Sequence, residues 1–162
     1  MPEEGITNPG QWVQRIKCNI RSQVGGMFVD LKGGGGHEPP VISFGNKTWE
    51  TNANQHWLIF STNLQHDSRV IIKSPVTGGY LASYGHGENI RCETGDVWDQ
   101  KFHWYFEGGD INNMRQDQVV RFRSAKYPKL YLDLTGGGKN GHPFVSWEGH
   151  NGANQQYLLW FR

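Results

Sequence analysis

Asn54-Gln55-His56-Trp57, Asp99-Gln100-Lys101-Phe102 and Asn154-Gln155-Gln156-Tyr157 are three copies of one short pattern, in which a polar residue and a glutamine precede an aromatic. An apolar run follows each copy: Leu58-Ile59-Phe60, then Trp104-Tyr105-Phe106, then Leu158-Leu159-Trp160. The glutamines lie 45 and then 55 residues apart. A pattern that recurs at such spacing marks a structural unit copied in tandem, whose copies bury one shared core. The question of function becomes which copies keep a working site.

The copies extend upstream. Phe28-Val29-Asp30-Leu31, Tyr80-Leu81-Ala82-Ser83 and Tyr131-Leu132-Asp133-Leu134 hold the same place in each unit. The first and third are followed by glycine-rich loops, 33–36 and 136–138, and each loop reaches a proline (Pro40, Pro143) ten residues after its aspartate. A strand-like run closes each loop: Val41-Ile42-Ser43-Phe44, Asn89-Ile90-Arg91-Cys92 and Phe144-Val145-Ser146-Trp147. Asp30 to Phe44 and Asp133 to Trp147 are both separations of 14 residues.

Composition narrows the class. At 162 residues the chain is one domain, 1–162, with a sizeable core; units run roughly 11–61, 62–108 and 109–162, after an arm at 1–10. A formal net charge of +1 gives no nucleic-acid stripe and no patch for an anionic membrane. The 22 glycines gather in loops and 13% of the residues are aromatic, a pairing that suits a turn-rich β protein. Short β-branched and aromatic runs such as Val70-Ile71-Ile72 and Val119-Val120-Arg121-Phe122-Arg123, bounded by Gly, Asn and Asp, predict a sandwich or barrel with no long amphipathic helix. No apolar window is long enough to insert in a membrane, and the N-terminus lacks the pattern of a signal peptide, so a cytoplasmic location is expected. Cys18 and Cys92 are too few for a disulfide framework or a metal knuckle; two buried thiols are favoured, and a single bridge stays open. No cofactor or metal is expected.

These repeats resemble the ricin B-type (R-type) lectins, whose mark is a threefold Gln-x-Trp. The resemblance spans nearly the whole chain and is closest at Leu132-Asp133-Leu134-Thr135-Gly136-Gly137-Gly138, Val145-Ser146-Trp147 and Gly152-Ala153-Asn154-Gln155-Gln156-Tyr157, wording similar to signal-less lectins of mushroom fruiting bodies. It implies an all-β fold, a β-trefoil of three pseudo-symmetric repeats: twelve strands, six in a barrel and six in capping hairpins. Only the first repeat keeps Gln-x-Trp, with Phe102 and Tyr157 standing in the others; Trp57, Phe102 and Tyr157 are expected in the core.

A neutral sugar presents hydroxyls at its edges and C–H groups on its faces. It needs an ionised acceptor, an aromatic platform and an amide that donates and accepts. The family's aspartate, aromatic and asparagine carry over to Asp133, Trp147 and Asn154, with Gly136 and Gly137 letting backbone N–H groups approach. His150, and less so His142, lie where they could reach a second sugar, although isolated loop histidines are more often solvated. The first repeat offers Asp30, Gly33, Gly34, Asn54 and an aromatic that is either Phe44 or Trp49, and a weaker site is expected there. The second places Ala82 at the aspartate and Cys92 at the aromatic, so no site is expected. An aspartate before a glycine-rich turn can also simply cap that turn; two in register with an aromatic and an Asn-Gln favour ligand contact.

No repeated acid pair, Gly-x-Ser-x-Gly elbow or histidine pair at metal-ligand spacing argues for an enzyme. The expectation is a non-enzymatic lectin for galactose or N-acetylgalactosamine on glycoproteins or glycolipids, a sugar preference and a defence role that rest on the resemblance alone. A homodimer is left open. The alternative is a trefoil protease inhibitor presenting one exposed loop, which would not require two matched aspartate–aromatic–asparagine sets.

Overall fold

The computed structural model describes residues 11–35, 40–46, 52–64, 67–116 and 118–161. The arm at 1–10, His37 and Trp49 lie outside the described residues.

Among the described residues, twelve strands fall into three units of four. The first unit holds β1 (Trp12–Ser22), β2 (Phe28–Leu31), β3 (Val41–Phe44) and β4 (Trp57–Thr62). The second holds β5 (Arg69–Lys73), β6 (Tyr80–Ala82), β7 (Arg91–Glu93) and β8 (Trp104–Glu107). The third holds β9 (Val119–Ser124), β10 (Leu130–Leu134), β11 (Phe144–Glu148) and β12 (Tyr157–Phe161).

The first and last strands of each unit close a ring. β1 pairs β4, β4 pairs β5, β5 pairs β8, β8 pairs β9, β9 pairs β12, and β12 returns to β1, all antiparallel. A closed ring leaves no sheet edge within the barrel. The middle strands form three hairpins, β2–β3, β6–β7 and β10–β11. The fold is a β-trefoil.

Alternation along the strands sorts side chains into core and outer face. On β10, Leu130, Leu132 and Leu134 point inward with Phe144 and Ser146 of β11, all buried; Tyr131 and Trp147 share the opposite face. One core joins the units, with Ile20, Val29 and Ile59 of the first meeting Ile72, Leu81 and Trp104 of the second and Phe122, Leu132 and Tyr157 of the third. One aromatic ties each hairpin to the barrel: Trp57 Nε1 donates to the Val29 carbonyl at 2.9 Å, Trp104 Nε1 to Leu81 at 3.1 Å and the Tyr157 hydroxyl to Leu132 at 3.0 Å.

Those three bonds correct the reading of the second repeat. Val29, Leu81 and Leu132 are equivalent, so Trp104, not Phe102, matches Trp57 and Tyr157. The second copy of Gln-x-aromatic is therefore Phe102-His103-Trp104, and Gln100 lies two residues before the glutamine's place. The single 3₁₀ turn before each closing strand agrees: it spans Ala53–Gln55, Gln100–Phe102 and Ala153–Gln155. Phe102 is buried, as a core residue was expected to be, but at the position of Gln55 and Gln155.

Two of the three hairpins also interlock with a neighbouring unit. The loop after β10 bonds to β3, with Ser43 N donating to the His142 carbonyl at 2.8 Å and Gly141 N to Ser43 at 2.7 Å. The loop after β6 bonds to β11 in the same way, Ser146 N to Glu88 at 3.1 Å and Gly87 N to Ser146 at 2.7 Å. Each hairpin of the first and third repeats thus leans on a loop of its neighbour. Cys18 is buried and Cys92 half-buried, both as free thiols; burial pushes the Cys92 thiol up to about 11.

Candidate functional site

In the third repeat the hairpin register decides which side chains meet. Asp133 stands opposite Val145 and Tyr131 opposite Trp147, so these four lie on the outer face of the hairpin. The turn at Ala153–Gln155 then folds back over that face. Asn154 Nδ2 donates to Asp133 Oδ1 at 2.9 Å, and Gln155 Nε2 donates to Oδ2 at 2.9 Å. Gln155 Nε2 also reaches the Glu148 carbonyl at 2.8 Å, while its Oε1 accepts from His150 N at 3.0 Å. His150 Nε2 lies 3.6 Å from Asp133 Oδ2.

The aspartate is thus held from beneath and from the side. Burial raises the Asp133 pKa above the ordinary aspartate value; the bonds from Gln155 and Asn154, and His150 nearby, oppose that rise without cancelling it. Next to it opens a hollow of about 290 Å³, lined by Asp133, Trp147, His150, Asn154, Thr135, Val145 and, from the second repeat, Gly87. Trp147 is 43% exposed, unusual for so large an apolar ring. The hollow combines an acceptor, an amide, an imidazole and an aromatic face.

Gly136 and Gly137 are not among the residues lining this hollow. Gly136 adopts φ +77°, and a Cβ there would sit 2.5 Å from the His142 ring. Gly138 packs on Gly25, where a Cβ on Gly25 would meet the Gly138 carbonyl at 2.8 Å. In the glycine-rich loop, Gly136 thus makes room for His142 of its own repeat and Gly138 for close packing on the first repeat.

The first repeat copies the buried half of the arrangement. Gln55 Nε2 donates to Asp30 Oδ2 at 2.9 Å and to the Gly45 carbonyl at 2.8 Å. Phe44 stands opposite Phe28, the register position of Trp147 opposite Tyr131. Gly33 and Gly34 sit in a 3₁₀ turn with φ of +60° and +80°, and a Cβ on Gly34 would lie 3.7 Å from Asn54 Oδ1. Trp49, the other candidate platform, lies outside the described residues.

The second repeat is rebuilt. Ala82 pairs with Arg91 and Leu81 with Cys92, so Glu93, not Cys92, falls at the position of Trp147; Cys92 matches Ser43 and Ser146. Lys101 falls at the position of Asn154, and Phe102 replaces the glutamine. The buried Asp–Gln pair has become an apolar Ala82–Phe102 pair packed with Ile71. Above it, Lys101 Nζ pairs with Glu93 Oε2 at 2.9 Å, the Tyr84 hydroxyl donates to Glu93, and Arg91 stacks on the Tyr84 ring at 4.2 Å. These side chains bond among themselves where the third repeat carries Trp147 and Asn154. The signal that locates this repeat is the His-Trp dipeptide at 56–57 and 103–104, which Gln100 obscures.

Among the described residues, no group of three His, Cys, Asp or Glu could hold a metal ion.

The family model described as ricin-type beta-trefoil lectin domain-like matches residues 53–147. No curated protein sequence matches the chain. Among solved structures, ThreeFoil, a designed threefold-symmetric protein, superposes with a TM-score of 0.71 at 15% identity, over 89% of this chain and 97% of that one. The ricin B-like lectin of Macrolepiota procera, solved with lactose, superposes with a TM-score of 0.64 at 21% identity, over 92% and 97%. The C-half of an earthworm R-type lectin, solved with GalNAc, gives 0.64 at 19% identity, over 91% and 99%. At these identities the likeness is one of fold.

The exchange of Asp–Gln for Ala–Phe makes a double-mutant cycle informative. Ala82→Asp alone buries a carboxylate beside Phe102 and is expected to cost about 3 kcal/mol or more. Adding Phe102→Gln supplies the missing donor and should recover about 1–3 kcal/mol of that loss. Denaturant unfolding of the four proteins measures both; strictly additive effects would contradict the assignment of Phe102 to the glutamine's place.

Proposed function

This chain belongs to the ricin-type β-trefoil lectin domain-like family, and on that premise we propose that it is a non-enzymatic lectin for terminal galactose or N-acetylgalactosamine. The observation that carries the reading is the Asp133 carboxylate, held by two amides at the edge of a hollow whose wall is the exposed Trp147. Galactose offers adjacent hydroxyls and, on one face, a patch of C–H groups. Asp133 accepts from two hydroxyls, Asn154 donates and accepts beside it, and the patch stacks on Trp147. The sugars bound by the Macrolepiota procera and earthworm lectins, lactose and GalNAc, support this ligand class. Asp30 and Asn54, with Phe44 or Trp49, make a second, weaker site in the first repeat, and the second repeat has none. A defence role against animals that feed on the tissue follows the likeness to mushroom lectins.

A shallow site of this kind binds a monosaccharide at about 0.1–1 mM, and two sites per chain raise the strength on a multivalent surface. In calorimetric titration with lactose, Asp133→Ala is expected to lose about 1.5–3 kcal/mol at the third site, on the order of a hundredfold, and to lower the stoichiometry from near two to near one. Trp147→Ala should act almost as strongly without unfolding the protein, because the ring stands outside the core. Undiminished binding by Asp30→Ala/Asp133→Ala would refute the site.

The raised pKa of Asp133 sets a pH dependence. Only the carboxylate accepts both hydroxyls, so affinity is full above the folded-state pKa and falls as pH drops through it, at a higher pH than for an ordinary aspartate. The same shift means that the folded state holds this proton more tightly than the unfolded chain. Ionised Asp133 therefore costs stability at neutral pH, and the cost fades as pH falls through the folded-state pKa. Titration at stepped pH measures the affinity; a flat profile from neutral to acid would contradict the role of the carboxylate.

A further inference from the structure

The third-repeat hollow is not built by the third repeat alone. The loop after β6, in the repeat where no site is proposed, runs along the edge of β11 that faces away from β10. Gly87 N donates to the Ser146 carbonyl at 2.7 Å, Ser146 N to the Glu88 carbonyl at 3.1 Å and Ile90 N to the Phe144 carbonyl at 2.8 Å. The Ser83 and Ser146 hydroxyls, both buried, meet at 2.6 Å. β11 is thus held on both edges, by β10 through its register and by this loop, and Trp147 follows directly on the doubly held Ser146.

Two residues of that loop lie against the Trp147 ring. The His86 ring stacks on it, with centroids 4.2 Å apart and planes at 32°. Gly87, which lines the hollow, stands at the edge of the indole: its φ is +75°, and a Cβ there would lie 3.5 Å from Trp147 Cζ3. With one face of the indole taken by His86, the other face is what a ligand can use. Folding gains little from the stack, because the His86 side chain is 51% exposed and Trp147 stands outside the core. Glu148 Oε1 is 4.0 Å from His86 Nε2, beyond hydrogen-bond reach, so the stack on Trp147 is the closer contact. The first repeat differs at this point. Gly141 N donates to the Ser43 carbonyl as Gly87 N does to Ser146, so Asn140 holds the place of His86, and its amide oxygen accepts from Gly45 N at 2.9 Å.

We propose that His86 is a positioning residue of the third-repeat site, holding the Trp147 indole in one orientation before a sugar arrives. A repeat without a site of its own thereby shares in its neighbour's. An unsupported exposed indole samples several rotamers, and a ligand that stacks on it must fix one. The stack with His86 removes that cost in advance. Asn140 offers the first repeat no ring at the same place, in keeping with the weaker site proposed there. The inference rests on the lectin reading above and adds one residue to its site.

The test follows the Trp147 indole N–H by nuclear magnetic resonance during titration with lactose, which reads the third site apart from the first. The resonance is assigned by its disappearance in Trp147→Phe. The proteins titrated are the wild type, His86→Ala and His86→Phe. The expected result is that His86→Ala weakens lactose binding about three- to tenfold, the cost of ordering one side chain. His86→Phe, which keeps a ring without the imidazole, restores the affinity. Without ligand, relaxation shows the indole as rigid as the β11 backbone in the wild type and His86→Phe, and more mobile on the ps–ns timescale in His86→Ala. Wild-type affinity or an equally rigid indole in His86→Ala, or a loss that phenylalanine fails to restore, overturns the positioning role while leaving the lectin reading intact. A wild-type resonance that lactose does not shift overturns both.

Discussion

The arrangement depends on one buried amide. Gln155 Nε2 binds the Asp133 carboxylate and the last carbonyl of β11 together, and Gln55 does the same for Asp30 and the Gly45 carbonyl. The glutamine pins the closing turn of its repeat to the hairpin, and by the same bond it fixes the acceptor that a ligand would use. A charge-assisted bond of this kind contributes about 1.5–3 kcal/mol. An ionised carboxylate buried without partners would cost several kcal/mol more than that. The amide therefore makes the acid tolerable, and the raised pKa shows that it does so incompletely. On the proposed reading, hydroxyls arriving from a ligand would supply donors that the protein leaves out, so one contact would serve both the fold and binding.

Where the pair is absent, everything above it changes. The second repeat replaces aspartate and glutamine with Ala82 and Phe102, which satisfy each other by apolar packing. With no acceptor to present, the outer face carries Glu93, Lys101 and Tyr84, bonded among themselves. Threefold symmetry is kept in the barrel, where every copy must contribute to a common core, and is lost on the hairpin face, where each copy carries different side chains. The second repeat still meets the third-repeat hollow through its loop, because Gly87 and His86 lie against Trp147.

Much of this was legible in the sequence because it is local or periodic. The repeats and the turn-rich β pattern pointed to a sandwich or barrel, and the resemblance to R-type lectins supplied the trefoil and grouped Asp133, Trp147 and Asn154. The β10–β11 register with the turn at Ala153–Gln155 sets these three side by side. The second repeat misled for a specific reason: Gln100-Lys101-Phe102 satisfies the pattern by accident, two residues before the true Phe102-His103-Trp104. Aligning the apolar partners Ala82 and Phe102 requires knowing that a polar pair can be replaced as a unit, which one sequence does not display. The glycines of 136–138 were read as a cradle for ligand, whereas Gly136 and Gly138 make room for His142 and Gly25. The contact between His86 and Trp147 joins positions 61 residues apart in different repeats, and no periodicity encodes it.

The most direct test is diffraction from crystals of the protein soaked in lactose. The account predicts a galactose ring stacked on Trp147, two of its hydroxyls on the Asp133 carboxylate with the Gln155 bond intact, and nothing bound above Ala82. Sugar seated at Glu93 and Lys101, or an empty Asp133 hollow with lactose bound elsewhere on the barrel, would contradict it.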